Sequence, residues 1–369
     1  MEKWERVSIV GMGLIGGSLA LAMRGAGIAG EIVGCGRKDE RLRYALDNGI
    51  ADRVTKDPKE AAEGAGLVVV CTPAGLIPGM LAAIRPALGA GAVVTDAGST
   101  KKDIVAGAEK LFGGDGPWFV GSHPMAGSED SGVEAARADL FENALCVLTP
   151  GGGCPEDVVG RVRGVWEAAG AKVLEMGAEE HDFLVAASSH LPHLVAVTLA
   201  LSLAGFSRER EGVLPLLAGG FRDTTRIASG SPEVWRDICM MNREAIISML
   251  DGFEGALRET GRVLRGGGEE EMQKLFSAAK RFRDGIPGGG RGALAGAHEV
   301  LVDAPDRPGV IAEIATALSD AGINIKNLFV QHVREMHGGT ILLTLESEED
   351  QARAAELLAA KGLRARKKS

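Results

Sequence analysis

The stretch "RVSIVGMGLIGGSLALAMRGAG", residues 6–27, joins a short β-branched run to a helix-spaced run through closely set glycines. Strand, tight turn and helix in immediate succession satisfy that pattern. Gly11 permits the turn, Gly13 lets the backbone approach a pyrophosphate, and Gly16 lets helix and strand pack closely. The helix-spaced "GGSLALAMRGAG" follows with its N-terminus towards phosphate charge, and Leu14 and Ile15 in the turn are read as cofactor-binding. The context predicts a dinucleotide-binding turn at residues 11–16.

The texture of that opening continues to about residue 176. "EIVGCG", "GLVVVCTP" and "GAVVTDAGS" are apolar strand-like runs, separated by helix-spaced segments around "DERLRYALDNG" and "LIPGMLAAIRPAL". Buried strands alternating with helices predict βαβ units, a parallel sheet and right-handed crossovers. "FVGSHPMAGS", "ALCVLTP" and "AKVLEM" read as further strands. Residues 1–176 are thus expected to form an α/β Rossmann-like dinucleotide-binding domain.

Residues 177–285 carry helical periodicity and almost no strand signal. "EEHDFLVAASSHLPHLVAVTLALSLA" is too apolar all round for a surface helix and is expected inside a bundle or at a subunit interface. Its longest apolar stretch reads as too short and too interrupted to span a bilayer. "SPEVWRDICMMNREAIISMLDGFEGALRETGRVL" reads as a second long helical region, with Ser231 as N-cap and Pro232 at the first helical position. This predicts an all-α domain that dimerises. Residues 286–297 lie in a glycine-rich linker. Residues 298–369 read β-α-β-β-α, a small α+β module ending in a basic tail, "RARKKS".

Net charge is −9 and no other basic block occurs, so nucleic acid is not an expected partner. The five scattered cysteines suit a reducing compartment, and "MEKWERVSIV" lacks the apolar run of a signal peptide. A cytoplasmic protein without membrane partners is the expectation.

The second strand ends "VGCGRKDE", where an acid would bind the ribose of NAD and an arginine would take the 2′-phosphate of NADP. Arg37 stands there, which leans towards NADP, although Asp39 is close enough to reach a ribose. Thr72 and Pro73 end another strand, at the sheet edge where ligands bind. Ser99, Ser122 and His123 follow strand-like runs and are expected in the same crevice, with His123 suited to acid–base work near pH 7. Arg226 is read as a carboxylate clamp, and Arg222 with Asp223 as a pair fixing the loop. His190 and His193 are three apart on one helical face. A metal reading would recruit His181 and Asp182, but no HExxH or nearby cysteine supports it, so no metal is expected.

"GMGLIGGSLA", "TDAGSTK", "GSHPMAGSE", "HD...SSHLPH" and "GGFRDTTRIASGSPEVW" occur in that order, and together they resemble the prephenate/arogenate dehydrogenase family over about residues 5–285. "DAPDRPGVIAEIATALSDAGINI" resembles an ACT domain, the ferredoxin-like amino-acid-sensing module. The resemblance implies oxidative decarboxylation of prephenate with NAD or NADP in tyrosine biosynthesis. It implies His123 as catalytic histidine on the 4-hydroxyl and Ser99 as its orienting serine. His193 and Arg226 match substrate-binding positions, with Trp235 beside them. Asp306, Gly309 and Asn324 match the effector edge of the ACT fold, with tyrosine as the candidate effector. The alternatives are arogenate as substrate, or a non-catalytic nucleotide and amino-acid sensor.

Overall fold

The computed structural model describes residues 3–127, 131–209, 212–286, 298–305, 307–334 and 338–367. They form two compact units, Met1–Met272 and Gln273–Ser369.

The first unit begins with β1 (Trp4–Val10), α1 (Leu14–Gly25), β2 (Ala29–Cys35), α2 (Asp39–Asp47), β3 (Arg53–Thr55) and α3 (Pro58–Ala62). There follow β4 (Leu67–Val70), α4 (Ile77–Ile84), β5 (Val93–Asp96), α5 (Lys102–Glu109), β6 (Trp118–Pro124), β7 (Leu145–Pro150), α6 (Glu156–Ala168) and β8 (Lys172–Glu175). The eight strands lie in one sheet, ordered β3-β2-β1-β4-β5-β6-β7-β8. The strand order reverses between β1 and β4, which opens a crevice at their carboxyl ends.

Both faces of the sheet are covered, so neighbouring residues of one strand enter different cores. Val7, Ile9, Leu67, Val69 and Val93 pack with Leu19, Met23, Val162 and Trp166 of α1 and α6. Val10, Val68, Val70 and Val94 pack with Ala61, Leu81, Ile84 and Ile104 of α3, α4 and α5. That is why these strands read as continuous apolar runs rather than alternating ones. The sheet is not wholly parallel as expected: β7 runs antiparallel to β6. Among the described residues between them lies only a short 3-10 turn, Val133–Ala135, and an antiparallel pair needs no crossover helix.

The same unit continues with α7 (Ala178–Val185), α8 (Leu191–Glu209), α9 (Gly219–Thr225), α10 (Pro232–Met241), α11 (Arg243–Gly266) and the first turn of α12 (Glu269–Gly285). A π turn, Ala186–His190, joins α7 to α8 just before Pro192. Proline lacks an N–H and crowds the carbonyl four residues back, and a widened turn accommodates both without ending the helix. The resulting run, Ala178–Arg208, is long and apolar enough to cross a bilayer, by length and composition alone. This corrects the expectation that its apolar stretch is too short. Its polar residues His181, Asp182, His190 and His193 are nevertheless buried within the unit. Ser231 caps α10 and Pro232 opens it, as read from "SPEV". The second long helical region is divided at Asn242, whose side chain bonds outward to the Asp182 carbonyl at 2.7 Å.

The second unit holds β9 (His298–Ala304), α13 (Val310–Asp320), β10 (Asn327–Arg334), β11 (Gly338–Leu345), α14 (Glu348–Ala360) and β12 (Arg364–Lys367). Its antiparallel sheet is ordered β10-β11-β9-β12 over the helix residues Ile314, Leu318, Ala354 and Leu358. The "RARK" segment, expected as a tail, is a fourth strand paired with β9. Its charges suit an edge strand.

Candidate active site

The crevice begins at the glycine turn. A Cβ on Gly11, whose φ is +112°, would stand 2.5 Å from the Cys71 carbonyl carbon, and one on Gly16 would stand 2.3 Å from the Gly11 oxygen. Neither position admits a side chain without backbone movement. A Cβ on Gly13 would meet nothing within 4 Å, so the space over the turn is open. Gly13 also caps α1 with no side-chain hydrogen bond. The N–H groups of the first turn, at Leu14 and Ile15, therefore face an open crevice at the positive end of a helix. Thr72 follows β4 on the other side of the turn, and its buried hydroxyl has no hydrogen-bond partner among the described residues. Open room, unused donors and an orphan hydroxyl fit a dinucleotide. Pro73 leads into a turn where Gly75 leaves just enough room for Asp237 of α10. Arg37 is exposed, two residues past β2, and Asp39 is held by Lys56 at 2.7 Å.

His123 is the penultimate residue of β6 and is 9% exposed. Its Nδ1 lies 2.8 Å from Nε2 of His181. His181 Nδ1 lies 2.7 Å from the Asp182 carboxylate. That carboxylate also accepts the backbone N–H of Lys101 at 2.7 Å and of Lys102 at 3.0 Å, at the start of α5. The tautomers follow from these partners. A carboxylate only accepts, so His181 carries its proton on Nδ1 and accepts on Nε2. His123 then donates from Nδ1, which leaves its Nε2 lone pair free. Burial first, and then unfavourable interactions of a protonated ring with His181, Lys101 and His190, hold the His123 pKa well below the usual histidine range. The imidazole is thus a neutral acceptor at pH 7.

His193 stacks on Trp235 at 3.3 Å between ring centroids, with the planes 14° apart. Gly230 lies against both rings, where a Cβ would come within 2.8 Å of the indole nitrogen. Burial lowers the pKa of His193. His190 is buried, bonded to Asn242 at 3.1 Å and set edge-on to Trp235, with its pKa lowered to about 4, chiefly by burial. Arg226 opens a 3-10 turn that packs along α8, the helix of His193, and its side chain is exposed. Ser99 is half-buried in the loop between β5 and α5.

Two readings need correction. Ser122 does not share the crevice with His123. Strand alternation turns it to the opposite face, where its hydroxyl meets Thr95 at 2.6 Å in full burial. Among the described residues, Arg222 and Asp223 are exposed on α9 and make no ion pair with each other. Sequence reasoning also missed Asp96, Lys101 and Asn242, and weighed His181 and Asp182 only as metal ligands. In the small unit, Gly309 starts the eleven-residue helix α13 with φ +90°, and Asn324 follows the turn after its other end. Asp306 lies outside the described residues.

Comparison with known proteins matches three family models to the chain. They are the prephenate dehydrogenase nucleotide-binding domain over residues 19–175, the prephenate dehydrogenase dimerization domain over 177–278, and the ACT domain over 298–360. Prephenate dehydrogenase of Bacillus subtilis is 36% identical over 365 residues, spanning 97% of this chain and 96% of that protein. The crystal structure of Aquifex aeolicus prephenate dehydrogenase with hydroxyphenyl propionate and NAD+ superposes with a TM-score of 0.72 at 34% identity, covering 78% of this chain and 98% of that one. Synechocystis arogenate dehydrogenase gives a TM-score of 0.65 at 31% identity, covering 76% of this chain and 99% of that one.

Proposed function

The chain belongs to the prephenate dehydrogenase family, and we propose that His123, backed by His181 and Asp182, is the base of an NAD(P)-dependent oxidative decarboxylation of prephenate. The observation that carries the assignment is the His123–His181–Asp182 relay, because it leaves one unprotonated nitrogen at the carboxyl end of β6.

The residues divide the work as follows. Gly11, Gly13, Leu14, Ile15, Gly16, Thr72 and Pro73 would hold the dinucleotide, which supplies the hydride acceptor when bound. Oxidation at C4 of prephenate turns its carbinol into a carbonyl only if the hydroxyl proton departs. His123 Nε2 takes that proton, and Ser99 orients the hydroxyl against it. Carbon dioxide leaves from the ring, its bonding pair completes the aromatic system, and the oxygen takes the proton back from His123 to give 4-hydroxyphenylpyruvate. Arg226 and His193 hold the carboxylates, and Trp235 fixes the plane of His193 while shaping the pocket. The helical domain forms a homodimer. Leu199 and Phe206, two turns apart on one side of α8, are exposed in the single chain, an apolar face that a second copy would cover.

Arg37 sets the choice of dinucleotide in this reading and favours NADP, since Asp39 is engaged by Lys56. Initial rates with prephenate and either dinucleotide test reaction and cofactor together. Arg37→Ser should lower kcat/KM for NADP by roughly tenfold, the scale of one charge-assisted contact, and leave NAD within about twofold. An equal loss with both would remove Arg37 from the cofactor site. Absence of turnover with prephenate but not with arogenate would move the substrate assignment.

Tyrosine is the proposed effector of the ACT domain, acting through a coupling of ~1–3 kcal/mol. Saturating tyrosine should therefore lower the rate with subsaturating prephenate. An unchanged rate together with no tyrosine binding by calorimetry would end that reading.

A further inference from the structure

Lys101 is buried to 0% exposure, and nothing in the chemistry above uses it. Its ammonium touches the carboxylate of Asp96, also fully buried, and donates to the Ser122 carbonyl at 2.8 Å. Asp96 in turn accepts the Ser122 N–H at 3.0 Å and the Gly98 N–H at 2.8 Å. The reason lies in the sheet. The β5–β6 ladder ends at Thr95↔Val120, while β6 runs on through His123. Ser122 therefore lacks a strand partner on the β5 side, and a buried strand cannot leave both of its backbone groups unpaired. The Asp96–Lys101 pair supplies one acceptor and one donor where the missing strand would have stood.

We propose that the buried Asp96–Lys101 pair is a positioning device for this reaction, holding the β6 backbone at Ser122 and thereby the His123 imidazole in register with the substrate hydroxyl. The proposal rests on His123 being the base. Lys101 grips the relay a second time, because its backbone N–H binds the Asp182 carboxylate that orients His181. One residue thus ties the strand behind His123 to the acid behind His181. The charged and titratable groups around His123 are His181 on α7, Asp182 behind it, His190 on the π turn, Cys146 on β7, and Asp96 with Lys101 beneath. Lys101 is among the positive neighbours that keep the imidazole unprotonated.

Two variants test this. Lys101→Met removes the donor and the charge, and leaves Asp96 unpaired. Asp96→Asn with Lys101→Met keeps the core neutral and still deprives the Ser122 carbonyl of its donor. Both should lower kcat by roughly 10-fold to 100-fold, the cost of displacing a catalytic group by a fraction of an ångström to an ångström. Lys101→Met, which removes the positive charge alone, should also move the acid limb of the kcat/KM profile to higher pH, and dinucleotide affinity should be unchanged in both variants. In Lys101→Met, His123 itself should titrate at higher pH than in the wild type, followed by NMR in protein carbon-13-labelled at histidine Cε1. Folded variants with wild-type kcat and wild-type His123 titration would overturn the proposal. Failure of both variants to fold, seen as lost helical circular dichroism, would also overturn it, because the pair would then be a folding element. Failure of the wild type to oxidise prephenate would instead strike the reaction assignment, and the His123 titration would still judge the positioning claim.

Discussion

Replacing His123 with alanine is expected to lower kcat by roughly 10²–10⁴-fold, the usual contribution of a general base, while the dissociation constant of the dinucleotide stays near wild type. The two effects separate because His123 sits on β6, whereas the glycine turn and Thr72 belong to the ends of β1 and β4. Binding can be followed by fluorescence titration and turnover by nicotinamide absorbance. A variant that keeps more than about a tenth of the wild-type kcat would remove His123 from the chemistry. The pH dependence of the wild type carries the same assignment. Burial and positive neighbours disfavour the protonated imidazole, so its pKa falls below the usual histidine range. The base is therefore competent throughout the neutral range, and kcat/KM falls only at a pH below that of an unperturbed histidine. Stability follows the same sign. His123, His190 and His193 all have lowered pKa values when folded. The unfolded chain binds protons near pH ~6.5 that the folded chain refuses until lower pH, as low as about 4 for His190. Stability should be full above that window and decline as the pH falls through it.

Asp182→Asn is expected to damage fold and rate together. The native carboxylate accepts three N–H groups, from Lys101, Lys102 and His181. An amide of the same shape keeps one oxygen and places an NH2 group where a donor already points. At least one buried N–H loses its partner, at about 1–3 kcal/mol, so the melting temperature should drop by several degrees. The rate should fall more than stability explains, because His181 is no longer held in the tautomer that accepts from His123. A variant that melts early but turns over normally at 25 °C would confine Asp182 to a structural role. Wild-type values for both would refute the relay itself.

Much of this was legible in the chain. The glycine turn, the strand ends at Thr72 and His123, and the cap at Ser231 are local patterns, set by φ, by strand period and by capping. The separated motifs were specific because order and spacing along a chain are themselves sequence properties. Ser122 shows where local reading fails. One residue along a strand reverses the face, and the position within "GSH" does not say which residue faces the ligand.

Sequence by itself determined that the chain opens with a dinucleotide-binding βαβ unit, continues as an apolar helical domain and ends in a small α+β module. Those choices follow from periodicity, glycine placement and the positions of charges, which act over a few residues. Only the tertiary structure decided that His181 and Asp182, 58 and 59 residues beyond His123, stand behind it. It alone also decided that Lys101 and Asp96 fill the end of the β5–β6 ladder. The physical reason is common to both cases. A buried polar group must find its partner wherever the packing brings one, and that partner is chosen by proximity in space, to which sequence separation is indifferent.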